Sequence, residues 1–381
     1  MKRRSGRIRF GALLLGLALF SAASAEPLPA RDMIYRTPNE ESEVLCSHDF
    51  CYWQMNQGEL DEEIVWEVLM QPLTVLEGGQ REQVKVRARP EKDCEDYVGV
   101  VTCASQGVHV LRKEEDWSLI EAYSSAESDS KIRVFAERFQ GWVETKLLKR
   151  LEVDDTYGIV IDKLQQRLYV YKEGHLFSTL LCSTGFPTKD TPFNETPAGE
   201  FAVVSWVGGF WDDSGTLYCD YGLRINKGIA MHEVPCAIKK DEATGEEKRD
   251  YHRCERFLGE KASHGCIRIQ KEKTPEGVNA RWLWNNLSRK PVTKVIIWDE
   301  IGRTLGYPDE DYPLYYNPKG GKMYHSSEKC LGVNEKYWPL QAFTWGELEE
   351  EQFRKLTPCP ACAPQPRMSA VDALNEKNTR K

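Results

Sequence analysis

The sequence predicts a mainly β protein: a mostly β central domain with one helix, a small β-barrel ahead of it and a small Cys-rich module behind it. Three observations lead there. Short runs rich in Val, Ile, Tyr and Trp recur between polar turns from Val84 to Trp298, which is the pattern of strands. Only one stretch, after Thr274, keeps helical spacing. Beyond Gly302 the composition changes, and Pro308, Pro313 and Pro318 interrupt Tyr-rich segments before a His/Cys cluster. A chain of 381 residues, 41% hydrophobic and 10% aromatic, has room for two or three cores at roughly 100–200 residues per domain.

Residues 1–25 read as a secretory signal. Lys2, Arg3, Arg4, Arg7 and Arg9 form a basic head, Gly11 to Phe20 an apolar run, and Ala23-Ser24-Ala25 a small-residue cleavage site. The run falls short of the roughly 20 residues that a spanning helix needs. Export and cleavage after Ala25 are therefore expected, leaving no integral membrane segment and a periplasmic or cell-wall location. Loss of those five basic residues takes the formal charge from -8 to -13. So acidic a chain argues against a nucleic-acid partner. Residues 26–82 hold a strand-like run at Asp32 to Tyr35 and a Cys46/Cys51 pair, and are otherwise unassigned.

Over residues 83–150, strand runs are expected at Val84 to Arg87, Tyr97 to Val101, Val108 to Leu111, Trp117 to Ala122 and Gly141 to Val143. The charged stretch Lys149 to Asp155 reads as a linker. The central domain, residues 156–300, opens with Gly158 to Ile161, Arg167 to Tyr171 and Leu176 to Cys182, the last two joined by a turn at Lys172 to His175. Strands follow at Val203 to Val207 and within Tyr218 to Met231. For the helix, Thr274 is the expected cap and Pro275 the first residue, with Val278, Trp282 and Leu283 at roughly helical spacing and Pro291 ending it. Val295 to Trp298 is the last strand. Residues 312–365 form the His/Cys module, and the polar end, 366–381, is expected to be disordered.

Twelve cysteines in an exported chain need partners, a metal or a catalytic role. The strongest chemical signal is Ser263-His264-Gly265-Cys266-Ile267-Arg268, with His232 upstream after Gly228-Ile229-Ala230-Met231. An unperturbed thiol is mostly un-ionised at neutral pH, and a histidine beside it can take its proton and return one to a leaving amine. Gly265 permits a tight turn, so that amides around Cys266 can converge on a developing oxyanion. The expected chemistry is acyl transfer through a thioester.

These residues resemble the L,D-transpeptidase (YkuD-like) catalytic domain, whose signature is an upstream His followed by Ser/Thr-His-Gly-Cys and an apolar residue with Arg or Asn. The likeness extends to Ile161-Asp162 with Arg167 to Tyr171, to Ser183-Thr184-Gly185 and to Thr196-Pro197-Ala198-Gly199-Glu200-Phe201. It implies a β-sandwich-like fold over 156–300 with Cys266 as nucleophile, His232 as general base and His264 as a second active-site histidine. By the same likeness Gly265 and Cys266 supply oxyanion amides, and Ser263 and Arg268 contact substrate or brace the loop. No cofactor is implied for catalysis. The implied substrates are peptidoglycan stem peptides, cleaved after the third residue with release of D-alanine, and the acceptor is an amine on another stem, a wall-attached protein, or water.

Two features depart from that family. Glu233 follows His232 where Gly is usual, and His232 and Ser263 are 31 positions apart, about twice the usual gap. The extra residues, including Lys239 to Asp250, read as a surface loop between Cys236 and Cys254, which are candidates for a disulfide. His252 within it lacks the apolar strand that precedes His232. Cys182 and Cys219 read as buried structural cysteines.

Residues 83–150 resemble bacterial Src-homology-3-like domains, through Val-x-Val-Arg-x-x-Pro at Val84 to Pro90, the Asp116-Trp117 turn and the closing Gly141-Trp142-Val143. His325, Cys330, Cys359 and Cys362 are spaced His-x4-Cys, then 28 residues, then Cys-x-x-Cys. That spacing suits a closed tetrahedral zinc site, and the segment resembles small Ada-type modules. A disulfide within the set is the competing reading in an oxidising compartment. The chain thus reads as a transferase of cell-wall biogenesis and cell shape; an L,D-carboxypeptidase or a non-catalytic wall-binding scaffold are the alternatives.

Overall fold

The computed structural model describes residues 62–125, 131–241 and 244–379. The expected signal, the Asp32 to Tyr35 run and the Cys46/Cys51 pair lie outside the described residues.

Helix α1 (Glu62–Met70) opens the described chain, with Glu62 and Glu63 in its first turn, where acidic groups offset the helix dipole. Val65, Val68 and Leu69 form its buried stripe and pack on Val160, Tyr171, Ile296 and Trp298 of the central domain. The sequence reading left this segment unassigned. Strand β1 (Leu73–Leu76) then pairs with β7 (Leu148–Leu151). The stretch expected to be a linker thus begins as a strand: Lys149 and Arg150 are exposed while the flanking leucines turn inward. Charge on one side of a short strand reads as a loop when backbone pairing is not visible.

Between them lies a five-stranded antiparallel sheet of β2 (Gln83–Arg87), β3 (Tyr97–Thr102), β4 (His109–Glu114), β5 (Trp117–Tyr123) and β6 (Arg138–Glu144), in the order β3-β2-β6-β5-β4. Val86, Val98, Val101, Ile120, Phe139 and Val143 are among the residues of its core.

The central domain has β8 (Tyr157–Asp162), β9 (Arg167–Lys172), β10 (His175–Ser183), β11 (Gly199–Ala202), β12 (Ser205–Trp211), β13 (Tyr218–Asn226) and β14 (Ile229–Glu233). An outlying hairpin, β15 (Ala237–Lys240) and β16 (Glu247–Asp250), and helix α2 (His252–Glu255) precede β17 (Ile267–Ile269), helix α3 (Ala280–Asn286) and β18 (Lys294–Trp298). Nine of these strands join in the order β11-β18-β8-β9-β10-β17-β14-β13-β12. The sheet folds about β10, so that Ile159, Val170 and Leu180 share one core with Leu223, Met231, Ile267 and Leu283. This is the expected sandwich-like arrangement.

Local details differ from expectation. The single run at Val203 to Val207 divides, because β11 ends at Ala202 and β12 starts at Ser205. Helix α3 is capped by Asn279, whose Oδ1 accepts the Trp282 amide at 3.0 Å. Thr274 instead closes its own turn, accepting from the Gly277 amide at 2.8 Å, and Gly277 there takes φ +84°.

The five-stranded sheet docks on the outer edge of the central sheet. The Gly107 amide donates to the Glu200 carbonyl at 2.7 Å and the Ala202 amide to the Ser105 carbonyl at 2.8 Å. The buried Glu200 carboxylate lies 2.8 Å from Lys294 Nζ and 2.8 Å from His109 Nε2. Lys294 Nζ also donates to the Val68 carbonyl of α1 at 2.7 Å. One ion cluster therefore joins α1, the five-stranded sheet and the central domain.

The last module is a sheet of β19 (Pro313–Tyr316), β20 (Met323–His325), β21 (Gln341–Thr344) and β22 (Thr357–Pro358) around Leu314, Tyr324, Phe343 and Trp345. The chain end corrects the expectation of disorder, because Met368–Thr379 forms helix α4. Val371 is buried, and Asn375 bonds the Leu305 amide at 2.7 Å and its carbonyl at 2.9 Å. Two anchors on a polar helix leave little trace in composition. Among the described residues no helix is long and apolar enough to cross a membrane.

Candidate active site

Strands β14 and β17 are parallel neighbours, with Met231 opposite Ile267 and His232 opposite Arg268. Successive side chains alternate across a sheet. Met231 and Ile267 enter the core, which leaves His232, Arg268 and Cys266 on the other face.

The half-buried Cys266 thiol lies 3.8 Å from the Gly228 carbonyl. Burial pushes it above its ordinary value, opposed by the Ala230 amide and by the charges of Arg268 and Arg224, while Asp213 adds to the rise. His232 is buried and donates Nδ1–H to the Glu233 carbonyl at 2.6 Å. Burial lowers its imidazole to about 4. The Phe210 ring meets it edge-on, with centroids 5.4 Å apart.

The loop before Cys266 is held from several directions. Gly265 has φ +117°, a conformation that glycine adopts without strain. Its carbonyl accepts the Thr196 hydroxyl at 2.7 Å, and Thr196 Oγ1 accepts the Gly185 amide at 2.8 Å. Gly185 also bridges to Ser263, and the Phe186 amide donates to the Ser263 carbonyl at 2.9 Å. A Cβ at Gly185 would lie 1.8 Å from the Asn194 carbonyl oxygen. The Ser-Thr-Gly and Thr-Pro-Ala-Gly-Glu-Phe segments thus act on this loop.

Individual expectations resolve differently. Ser263, expected to contact substrate, is buried, and its hydroxyl donates to the Cys266 carbonyl and accepts the Gly265 amide. The same bond commits the Gly265 amide expected in the oxyanion hole. Arg268 braces the loop, with Nη1 3.0 Å from the Ala262 carbonyl. His264 is exposed. Burial alone would raise Asp212 in the β12–β13 turn, but the Leu217 amide, Ser214, the Thr216 amide and nearby His264 bring it below its usual value. Sequence reasoning missed the Ala230 amide and Arg224; a backbone donor has no side-chain signature.

Glu233 is buried and accepts the Tyr251 hydroxyl at 2.9 Å. Burial raises its carboxyl. The insertion expected as a loop is the β15–β16 hairpin plus α2. The bridge suggested between Cys236 and Cys254 is not formed: Cys236 Sγ lies 3.7 Å from the Tyr218 carbonyl, and Cys254 packs with Leu217 and Val234. The described cysteines are all free thiols, and Cys182 and Cys219 are buried, as expected.

Far from this loop in sequence, His325, Cys330, Cys359 and Cys362 come together, all buried, with ligand atoms within 4.8 Å of one another. Cys330 Sγ and Cys359 Sγ are 3.7 Å apart, and Cys362 Sγ is 3.8 Å from His325 Nδ1. A disulfide needs about 2.05 Å. Four ligands around one ion at about 2.0–2.3 Å stand roughly 3.5–3.8 Å apart. The Gly332 and Ser326 amides each point at a sulfur, at 3.3 Å. The set can hold a metal. The module touches the central sheet through Gln270 Nε2 to the Ala361 carbonyl at 3.4 Å and Arg167 Nη2 to the Pro364 carbonyl at 3.3 Å.

Residues 156–297 match the family model described as YkuD: L,D-transpeptidase catalytic domain. Among solved structures, the chain is similar to an L,D-transpeptidase from Xylanimonas cellulosilytica at 19% identity, covering 38% of this chain and 61% of that one with TM-score 0.25. It is similar to an L,D-transpeptidase (Yku) from Stackebrandtia nassauensis at 16% identity, covering 39% and 58% with TM-score 0.26. For an L,D-transpeptidase from Mycobacterium smegmatis the identity is 16%, with 60% and 95% covered and TM-score 0.27. The chain spans less than two thirds of the first two structures. No curated protein matches it.

Proposed function

Because residues 156–297 carry a YkuD L,D-transpeptidase catalytic domain, we propose that the protein is an exported cysteine acyltransferase acting on peptidoglycan stem peptides. The observation that carries this reading is the parallel pairing of β14 with β17, which sets His232 and Cys266 on one sheet face. With Nδ1–H held by the Glu233 carbonyl, the lone pair of His232 is on Nε2, the atom a general base uses.

In this reading Cys266 Sγ attacks the carbonyl of the third stem residue while its proton passes to His232 Nε2. The oxyanion is met by the Cys266 amide. Collapse breaks the peptide bond, and D-alanine leaves with the proton from His232. The thioester is then attacked by an acceptor amine, whose proton returns through the same imidazole, and the thiol is regenerated. His264 at the mouth orients substrate, and Arg268 positions the loop. A second stem, a wall-attached protein or water can complete the cycle, and water would make the protein an L,D-carboxypeptidase.

In the same reading residues 1–25 are an export signal, the barrel with β1 and β7 is an auxiliary domain, and His325, Cys330, Cys359 and Cys362 are ligands of a structural zinc. Four protein ligands close that site, so it would fix the module's fold.

The test is mass spectrometry of products when residues 26–381 meet a tetrapeptide muropeptide, with Cys266→Ala as control. Loss of D-alanine with a cross-linked dimer is expected. A tripeptide monomer alone would identify the carboxypeptidase, and unchanged substrate would favour the scaffold.

A further inference from the structure

Outside the Cys266 face, the β12–β13 hairpin and the insertion enclose an open cleft of about 530 Å³ lined by Trp211, Tyr218, Ile238, Lys240, Glu247 and Arg249. Trp211 and Tyr218 are cross-strand partners with ring centroids 5.2 Å apart in an edge contact. Gly209 makes room for the tyrosine, since a Cβ there would sit 2.0 Å from the phenol oxygen. The Arg249 guanidinium covers Tyr218 at 5.4 Å and pairs with Asp220. Trp211 stays 49% exposed.

The charges of the cleft are balanced. Arg249 is matched by Asp220, and Lys240 by Glu247 across the hairpin at 3.8 Å. No excess of either sign selects a charged ligand. An open indole bordered by paired donors and acceptors suits a ligand with an apolar C–H face and a rim of hydroxyls and amides. A pyranose ring of an N-acetylated amino sugar has that form.

The cleft and the candidate active site share one strand. Phe210 packs against His232 on one face of β12, and Trp211, the next residue, opens on the other. β12 is also the edge of its sheet, so an extended substrate can pass around it. Three extended peptide residues reach about 10 Å, and the two faces to be joined belong to adjacent residues, Phe210 and Trp211, of one strand.

We propose that this cleft binds the glycan strand of peptidoglycan, with an amino-sugar ring stacked on Trp211 and its polar rim facing Lys240 and Glu247, while the attached stem rounds β12 toward Cys266. The proposal rests on the acyltransferase reading for its substrate. It gives the insertion a role that the chemistry at Cys266 does not require.

The experiment uses the Cys266→Ala chain, which cannot turn over, and titrates two probes by calorimetry: a peptide-free oligomer of alternating N-acetylglucosamine and N-acetylmuramic acid, and the free tetrapeptide. Adding Trp211→Ala should weaken glycan binding about tenfold or more, the loss of one stacking anchor. Trp211→Phe should retain most of it, and tetrapeptide binding should not change. Absence of glycan binding, or glycan binding indifferent to Trp211→Ala, would overturn the proposal. Neither readout depends on thioester formation, so failure of the acyltransferase reading would appear separately, as absence of D-alanine release by the unsubstituted chain.

Discussion

His232 donates its Nδ1 proton to the carbonyl of Glu233, the next residue, at 2.6 Å. A buried histidine would otherwise choose between tautomers, and this bond makes the choice within its own strand. It also explains how Glu233 can replace the usual glycine: the backbone oxygen serves His232, while the carboxylate turns to Tyr251.

Burial raises the Cys266 thiol and lowers His232 to about 4, so near neutral pH Cys266 rests as a thiol and His232 as a neutral imidazole. Alkylation of Cys266 by iodoacetamide should therefore climb steadily from pH 6 to 9, approaching tenfold per unit as the thiolate fraction grows. A plateau beginning near pH 6 would mean a preformed thiolate–imidazolium pair and defeat this account.

Gly185→Ala should lower turnover by about tenfold or more, because a Cβ would collide with the Asn194 carbonyl and the backbone carrying the Thr196 and Ser263 contacts must shift. Steady-state kinetics against unsubstituted protein checks this. Unchanged kcat would show that the loop is positioned from elsewhere.

Glu200→Gln should destabilise the chain by about 3 kcal/mol, since it leaves Lys294 buried without its carboxylate. Burial would raise Glu200, yet Lys294 and His109 together hold it well below the usual carboxylate range. A depressed carboxyl contributes stability that is present above its unfolded value of about 4.3 and lost as pH falls through the folded one. Urea melts of the unsubstituted chain should weaken below about pH 4, and the variant should lose that part of the slope.

Purified protein should contain about one zinc per chain by atomic emission, and Cys359→Ser should abolish it and lower the melting temperature. Metal-free protein with a Cys330–Cys359 disulfide in its peptide map would reverse the assignment.

The sequence disclosed the parts whose side chains carry the message. Short runs of Val, Ile, Leu, Tyr and Trp marked β8, β9 and β18, and Cys266 and His232 stood out because few residue types can attack a carbonyl or take a proton. The cluster of His325, Cys330, Cys359 and Cys362 was legible by spacing alone. What stayed hidden was decided by backbone. Ser263 looked available to substrate because its bond to the Gly265 amide depends on a local turn, and the division between β11 and β12 depends on pairing partners distant in sequence. Helix α1 was missed because nine residues leave too few turns for a period to stand out.

The parallel run of β14 beside β17 also has an architectural result. Parallel neighbours cannot be joined by a tight turn; the chain needs about a dozen residues or more to return. Residues 234–266 are that return route, and the β15–β16 hairpin is a side branch on it, with Ala237 and Asp250 facing each other at its base. A branch that closes on itself can be lengthened, trimmed or exchanged without sliding His232 against Arg268. The hairpin wall of the cleft, Ile238, Lys240, Glu247 and Arg249, thus sits on a length of chain separate from the strands that carry His232 and Arg268, and that wall can change while their register is left alone.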